Sequence, residues 1–271
     1  MSQGASRAAL AAAAAELEQV LEDQRTDVDT VGNQLFAVGR LLSRETALRR
    51  ALTDPSRTGE ERADMFDAML GDQLSNPTRK VVRAAVRQRW ASPRDLAAAF
   101  EELAVRAVVA SAERADVLDR LEDELFRFSR ILLGNQDLRA ALTGEIDHER
   151  KTGLLDALIG GKVTPQARTL IDQAVVSRSS RTVEHTLERY SAVAAARREQ
   201  LIAHVRSVTD LTNAQRERLA AALSRMYGRN VALLVETDPS VLGGLAIRLG
   251  DEVLDATVLA RLEEARRRLA G

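Results

Sequence analysis

Residues 34–53 read QLFAVGRLLSRETALRRALT, and residues 124–143 read ELFRFSRILLGNQDLRAALT. The two stretches align without a gap, and nine of the twenty aligned positions are identical. The identical pairs are Leu35/Leu125, Phe36/Phe126, Arg40/Arg130, Leu42/Leu132, Leu48/Leu138, Arg49/Arg139, Ala51/Ala141, Leu52/Leu142 and Thr53/Thr143. Self-similarity at a fixed offset is typical of a structural unit that occurs more than once in a chain. The sequence therefore predicts a duplicated helical unit.

The matched apolar residues recur at helical spacing, so we interpret them as core, and the repeated arginines as residues that cap or cover helix ends. Thr58 and Glu61 form a capping-box pattern at the start of another helix. Two more helices are predicted to begin with an N-cap residue followed by proline, at Asn76-Pro77 and Ser92-Pro93. The predicted helices before these cover residues 5–22, 27–43 and 45–52. The first copy is therefore expected to contain six helices.

The pattern changes after about residue 198. Residues 201–208 and 231–237 are β-like, with alternating apolar side chains in the second stretch. Between them, residues 212–227 are predicted to form an amphipathic helix. This order of strand, helix and strand indicates a small α/β domain at the C-terminal end.

The stretch DPSVLGGLAIRLGDEVLD covers residues 238–255 and predicts a β-hairpin. Apolar residues alternate on both sides of Gly250-Asp251, which supplies the two turn residues. A last helix is predicted at about 256–269. The expected fold class is mainly α, with two tandem helical-bundle units followed by a small α/β domain that contains a β-hairpin. The predicted domains are residues 1–105, 106–198 and 199–271.

Composition excludes several classes of protein. Aromatic residues make up 3% of the chain, so the core must consist of Ala, Leu and Val. The formal net charge of −1 gives no general attraction to nucleic acid or acidic lipid. There is no cysteine, which excludes disulfides and thiolate metal sites. We expect neither a signal peptide nor direct membrane insertion. The protein is expected to be cytosolic or to reach a membrane only through partners.

The sequence contains no recognisable catalytic arrangement. The three histidines, His148, His185 and His204, are scattered and form no metal-ligand motif. Two double glycines invite a phosphate-binding interpretation, but Gly160-Gly161 follows a helix and Gly243-Gly244 precedes a strand. A phosphate loop requires the reverse order, with a helix N-terminus after the glycines. We therefore predict no catalytic residue, no metal site and no cofactor.

The C-terminal stretch resembles the signature of the delta subunit of F-type ATP synthases, the family of the oligomycin-sensitivity-conferring protein. That signature has Asp-Pro, two hydrophobic residues, Gly-Gly, an alternating strand with a basic residue, Gly-Asp, and an Asp before the last helix. The matching residues are Asp238, Pro239, Val241, Leu242, Gly243, Gly244, Ile247, Arg248, Gly250, Asp251 and Asp255.

The resemblance extends upstream, because the family has a six-helix bundle with an L-R-x-x-L segment like the one from Leu48-Arg49 to Leu52. Two features depart from the usual pattern. The usual delta subunit has one helical bundle, whereas this chain has an extra copy of about 90 residues. The family also often has Gly-Ser-Val-Arg-Gly after the last Asp, where this chain has residues 256–260, ATVLA.

The resemblance implies a non-catalytic stator subunit of the proton-translocating ATP synthase. Such a subunit links the catalytic head to the peripheral stalk, so that proton flow is coupled to ATP synthesis. Its implied partners are the N-terminal helices of the alpha subunits, held by the helical part, and the b subunits of the stalk, held by the C-terminal domain. Its implied location is the cytoplasmic side of the cell membrane, as a peripheral protein within the complex.

Docking of a partner helix requires an apolar groove. Candidate walls of that groove are Ala11, Ala14, Ala15, Val82, Ala85 and Val86. For each of these residues, packing within the chain is an equally good interpretation. Two other functions stay open on the residues alone. One is a helical adaptor or scaffold of an unrelated complex, and the other is an enzyme with an unrecognised site.

Overall fold

The computed structural model describes residues 2–144, 148–176, 182–199, 201–227, 231–238, 244–249 and 252–255. Its helices are α1 Ser2–Glu22, α2 Val28–Arg44, α3 Thr46–Ala51, α4 Gly59–Leu70, α5 Asn76–Arg87, α6 Pro93–Arg114, α7 Leu118–Gly134, α8 Gln136–Thr143, α9 His148–Ile159, α10 Pro165–Val176, α11 Val183–Glu199 and α12 Asn213–Tyr227. Its strands are β1 Leu201–Ser207, β2 Val231–Thr237, β3 Leu245–Leu249 and β4 Glu252–Asp255. The expected fold class, mainly α with a small α/β part at the C-terminal end, is confirmed.

The chain forms two compact units, Met1–Ala195 and Ala196–Gly271. Within the first unit, helices α7 to α11 repeat the order of α2 to α6, and each begins 89 or 90 residues after its counterpart. The predicted duplication is therefore confirmed at the level of helices. The predicted boundary between the first two domains, at residues 105 and 106, falls inside the continuous helix α6. The three-domain division stays a prediction.

Helices α2 and α6 pack tightly against each other in the first copy, and two glycines make this possible. A Cβ atom on Gly32 would lie 3.0 Å from Val108 Cγ2, and one on Gly39 would lie 3.4 Å from the Phe100 Cβ. The backbone of α2 can therefore approach α6 more closely than side chains at these positions would allow. The equivalent positions of α7 carry Glu122 and Ser129. The second copy thus lacks the two glycines.

Several helix starts follow the sequence signals. The Thr58 and Glu61 capping box is present in full at the start of α4, and Ser92 caps α6 directly before a proline. The predicted cap of α5 was wrong by one residue. Ser75, not Asn76, is the N-cap, because its backbone is extended and its hydroxyl accepts a hydrogen bond from the Thr78 N–H.

A polar contact between helices is also duplicated. The Ser75 N–H donates to Gln34 Oε1 at 3.0 Å in the first copy. In the second copy, the Thr164 N–H donates to Glu124 Oε2 at 2.8 Å. Each contact joins the start of one helix, α5 or α10, to the middle of another, α2 or α7. Arg49 in turn donates to the carbonyl oxygen of Leu42 at 2.6 Å, which confirms that this repeated arginine covers a helix end.

Helices α4 and α5 are joined by a cluster of ion pairs around Asp67. Its carboxylate accepts hydrogen bonds from Arg79 Nε at 2.8 Å and from Arg83. Arg83 also lies 3.0 Å from Asp64. Burial by itself would raise the pKa of the Asp67 carboxyl, but the hydrogen bonds from Arg79 and Arg83 outweigh it and hold that pKa below its ordinary value.

We predict that Asp67→Asn lowers the free energy of unfolding by about 1–2 kcal/mol at pH 7, a modest figure because Arg79 is partly exposed. The folded-state pKa lies below that of the unfolded chain, so the carboxylate stabilises the fold above about pH 4. This contribution is lost as the pH falls through the folded-state pKa. Urea unfolding at pH 7 and pH 3 should therefore show a difference between parent and variant that shrinks in acid. An equal difference at both pH values would contradict this assignment.

The second unit is a four-stranded sheet with strand order β2-β1-β3-β4. Strands β1 and β2 are parallel and α12 connects them, whereas β1/β3 and β3/β4 are antiparallel. The predicted hairpin is therefore confirmed as β3 and β4. Its turn at Gly250-Asp251 and the helix expected at 256–269 lie outside the described residues. The buried residues of this unit are Ala203, Val205, Leu223, Val231 and Ile247.

Among the helices that the structure describes, none is both long enough and apolar enough to cross a membrane.

Candidate partner-binding surfaces

Part of the exposed side of α1 carries small side chains, with the exposed Arg7 beside them. Gly4, Ala8, Ala11 and Ala15 are exposed and recur at helical spacing, and we call these four residues the alanine stripe. The opposite side of α1 contributes Leu17 and other residues to the core. A helix face without large side chains lets a second helix approach closely. The alanine stripe is therefore suited to packing against another helix.

Six residues were expected to line the groove for a partner helix, and the structure places only two of them at the surface. Ala11 and Ala15 belong to the alanine stripe. Ala14 is 8% exposed and belongs to the core. Val82, Ala85 and Val86 of α5 are fully buried against the chain's own helices. Their contact with a partner stays a prediction, and in this structure their side chains form interior and not surface.

The first helix of the second copy has a different environment. This helix is α6, which precedes α7 as α1 precedes α2. One side of α6 is covered by α2, and its residues from Leu103 to Ala112, except for the half-buried Arg106, are buried. At the four positions of α6 that correspond to the alanine stripe, the side chains are the exposed Arg94 and Ala98, the half-buried Glu101 and the buried Val105. The second copy therefore has no continuous exposed stripe of small residues on α6.

The second copy instead exposes part of α7. Phe126 is 62% exposed and Leu133 is 57% exposed. The repeat partner of Phe126 is Phe36, which is 3% exposed because it lies on the side of α2 that faces α6. Residues that are identical in the two copies thus have different environments. Sequence comparison gave no sign of this difference.

The signature residues lie in the C-terminal unit, and the structure describes five of them. Asp238 follows β2, its N–H donates to the Ser207 carbonyl oxygen at 2.8 Å, and its carboxylate lies 3.3 Å from Arg206. Gly244 has a φ of 89°, a conformation that favours glycine. Ile247 is buried and Arg248 is exposed on neighbouring positions of β3. Asp255 ends β4. Pro239, Val241, Leu242, Gly243, Gly250 and Asp251 lie outside the described residues.

The sheet has one covered and one exposed side. Val205 and Ile247 face the core of this unit together with residues of α12. His204, Arg206 and Arg248 alternate with these residues along β1 and β3 and are exposed. His204 and Arg248 are direct neighbours across the two strands. The exposed side of the sheet therefore carries two arginines, of which Arg206 is paired with Asp238 and lies beside the exposed Glu236.

Within the described residues, no three His, Cys, Asp or Glu side chains are arranged to hold a metal ion. His185 lies 3.7 Å from Glu188 on the surface of α11, and His204 lies on the sheet.

Comparison with protein families gives a match to "ATP synthase delta (OSCP) subunit" over residues 105–269. The chain belongs to this family. The match starts inside α6 and continues through the second helical copy into the C-terminal unit. The copy that directly precedes the C-terminal unit is therefore the one that the family pattern covers, and the additional copy lies at the N-terminal side.

Relatives of the same length carry the name ATP synthase subunit delta. The protein from Kineococcus radiotolerans is 46% identical over 269 residues, which is 99% of this chain and 98% of the relative. The protein from Streptomyces avermitilis is 43% identical over 268 residues, 98% of each chain. The one from Thermobifida fusca is 43% identical over 272 residues, 99% of this chain and 100% of the relative. The long form with two helical copies is thus shared with these relatives.

A chain of the Toxoplasma gondii mitochondrial ATP synthase hexamer is 20% identical, over 62% of this chain and 95% of that chain. Its TM-score of 0.27 is too low to establish a common fold. Family membership rests on the sequence relatives. It confirms the expected role, a structural stator subunit of F-type ATP synthase that links the catalytic head to the peripheral stalk. The subunit is therefore part of a membrane-associated complex.

Proposed function

We propose that this subunit holds the catalytic head through the alanine stripe of α1 and the peripheral stalk through the C-terminal unit. The head would contribute N-terminal helices of alpha subunits, and the stalk would contribute b subunits. The subunit would act on the cytoplasmic side of the membrane, without catalytic residues, cofactor or metal of its own. The observation that carries the proposal is an exposed, small-residue helix face in a family whose members are ATP synthase subunits.

The alanine stripe is favoured because the same molecule uses small residues to join helices elsewhere. Gly32 and Gly39 of α2 let it lie closely against α6. An amphipathic partner helix can pack on Ala11 and Ala15 in a similar way, with its apolar side chains directed at α1. The first copy is favoured over the second because α2 already covers the corresponding helix of the second copy, α6.

The C-terminal unit is favoured for the stalk because one side of its sheet is exposed and carries charged side chains. Its exposed sheet side carries Arg206 and Arg248. An exposed arginine can pair with acidic residues of a stalk helix and so help to select and orient that partner. Arg206 is already paired with Asp238, so Arg248 is the residue on which we base the test.

We predict that two variants each weaken the binding of a different partner. Ala11→Arg combined with Ala15→Arg should weaken binding of an alpha-subunit N-terminal peptide at least about tenfold, because two charges would be placed under the partner's apolar face. Binding of the soluble part of the b subunit should be unchanged. Arg248→Glu should weaken b-subunit binding and leave peptide binding unchanged. Isothermal titration calorimetry with the full chain measures both affinities.

The control for the first variant is Ala140→Arg, because Ala140 is an exposed alanine on α8 of the second copy. It should bind both partners with the parent's affinity. Loss of peptide binding in Ala140→Arg but not in the α1 variant would move the alpha site to the second copy. Peptide binding that survives both variants would contradict a site on either face.

A further inference from the structure

Helix α6 takes part in both helical copies. It is the last helix of the first copy and, through its position before α7, the first helix of the second. Its contact with α2 includes Ala104 and Val108, which lie next to Gly32. Leu103, Val109 and Ala110 of the same helix are also buried. A helix of 22 residues is thus covered on more than one side by other parts of the chain.

Buried polar contacts continue from α6 into the second copy. Gln166 of α10 donates through Nε2 to Ser111 Oγ at 3.0 Å, and both side chains are buried. The hydroxyl of Tyr190 in α11 donates to Glu101 Oε1 at 3.1 Å. Burial, and next the Glu101 carboxylate, raise the pKa of Tyr190, so this hydroxyl keeps its proton and remains a donor. Both contacts would have to break if the second copy separated from α6.

A direct link also joins the two copies without α6. Arg40 of α2 donates through Nη1 to Gln173 Oε1 of α10 at 2.6 Å. The buried residues of both copies form a single hydrophobic cluster, which includes Phe100 of α6, Leu125 of α7 and Leu170 of α10. Domains that move relative to one another are usually joined by an exposed linker and a smaller, more polar interface. The two copies are instead joined by the continuous helix α6 and by a shared hydrophobic cluster.

We propose that the shared helix α6 makes the two helical copies one cooperative mechanical body, so that the additional copy lengthens the stator without adding a hinge. A stator must resist torque, and a continuous core transmits force without a flexible joint. The proposal goes beyond the docking sites, since it holds whichever copy binds the head. One consequence is that deletion of residues 106–195 would cut α6 and expose the core of the first copy.

The test uses the full chain and two phenylalanines of α7. Phe128 is 2% exposed and Phe126 is 62% exposed, so Phe128→Ala removes core packing in the second copy and Phe126→Ala is the matched control. The readout is fluorescence of Trp90, the single tryptophan of the sequence. Its indole N–H donates to the Ala85 carbonyl oxygen at 2.9 Å, so it reports on the first copy.

In urea unfolding, we expect Phe128→Ala to lower the midpoint of the Trp90 transition by about 1 M or more. Phe126→Ala should shift it by less than about 0.3 M. A Trp90 midpoint that is the same in Phe128→Ala and the parent would overturn the proposal, because the copies would then unfold independently. If Phe128→Ala does not fold, the fully buried Ile171 allows the milder Ile171→Val, with an expected shift of about 0.5 M, larger than that of Phe126→Ala.

Hydrogen exchange followed by mass spectrometry gives an independent measurement on the same proteins. The slowest amides of α2 and α5 should exchange at rates close to those of α7 and α10 in the parent chain. Phe128→Ala should accelerate exchange in all four helices. Acceleration confined to α7 and α10 would show separate folding units and would overturn the proposal. Neither measurement depends on a binding partner, so failure here and failure of the docking proposal can be told apart.

Discussion

Arg62→Met is expected to lower the free energy of unfolding by about 3–5 kcal/mol. Arg62 is 3% exposed, and its guanidinium donates hydrogen bonds to five backbone carbonyl oxygens. These belong to Val86, Arg87 and Gln88 at the end of α5, and to Asp54 and Arg57 before α4. Methionine has a similar length but no donor, so several buried carbonyl groups would lose their partner. Urea unfolding followed by Trp90 fluorescence measures the loss.

Two control variants test whether the stability loss comes from the hydrogen bonds of Arg62. One keeps the positive charge, and the other removes a cation at the equivalent position of the second copy. Arg62→Lys keeps the charge but offers a single ammonium group, which cannot reach acceptors on both sides of the planar guanidinium. It should still cost more than about 2 kcal/mol. Lys151 occupies the equivalent position of α9 and is only half buried, so Lys151→Met should change stability by less than about 0.5 kcal/mol. A full rescue by lysine would show that charge alone explains the role of Arg62.

Burial has a second effect on Arg62, because it lowers the pKa of the guanidinium from its ordinary value. The ordinary pKa of arginine is so high that the guanidinium remains charged, even after this lowering, under all conditions in which the protein folds. The stabilisation by Arg62 should therefore not vary with pH between about 5 and 9. It differs in this respect from the contribution of Asp67, whose carboxyl pKa is held below its ordinary value and whose stabilisation is lost in acid.

The fold was largely predictable from sequence because its main signals are local. The repeat around Leu35 and Leu125 specified the duplication, and the alternation around Ile247 specified the hairpin. Capping chemistry at Thr58 and Ser92 gave helix starts, since a cap acts within one turn of the chain. The cap of α5 was misplaced because Ser75 and Asn76 are adjacent and both residue types cap helices well. Only the backbone conformation distinguishes them.

Tertiary contacts were not predictable by the same means. Arg62 looks like an ordinary surface arginine in the segment GEERADM, because its acceptors are carbonyl groups of α5 that carry no sequence signal. The shared role of α6 was missed for a related reason. The repeat was aligned on α2 and α7, and sequence alone does not show that one helix completes one copy and begins the next.

The candidate site was predicted only in part because helical periodicity does not distinguish a groove from a core. Val82, Ala85 and Val86 form an apolar stripe on α5, as expected, but the stripe faces inward. The sequence of α1 shows little separation between an apolar and a polar side, because alanine occurs both in cores and at surfaces. The pattern therefore did not distinguish the exposed Ala11 and Ala15 from the buried Ala14. The family signature, which includes Asp238 and Arg248, identified the complex to which the chain belongs. It did not show which partner residues these side chains contact.

Gly32→Leu should destabilise the helical unit by about 2–3 kcal/mol. A Cβ atom at this position would already lie 3.0 Å from Val108 Cγ2 and 3.6 Å from the Ala107 Cβ, so the larger leucine side chain has no space unless α2 and α6 separate. Replacing glycine within a helix gains up to about 1 kcal/mol from backbone entropy, which offsets only part of this cost. Because α6 belongs to both copies, the loss should appear in Trp90 fluorescence and in hydrogen exchange of α10 alike.

A double variant tests whether steric overlap is the cause. Val108→Ala removes the methyl group nearest to Gly32, so Gly32→Leu combined with Val108→Ala should be more stable than the sum of the two single effects, by about 1 kcal/mol. Gly153 of α9 provides the control, because a Cβ atom there would have no neighbour within 4 Å. Gly153→Leu should leave stability unchanged or raise it by about 0.5 kcal/mol. If the effects of Gly32→Leu and Val108→Ala on stability were strictly additive, steric overlap between the two helices would not be the cause. The leucine would then destabilise α2 itself and not its packing against α6.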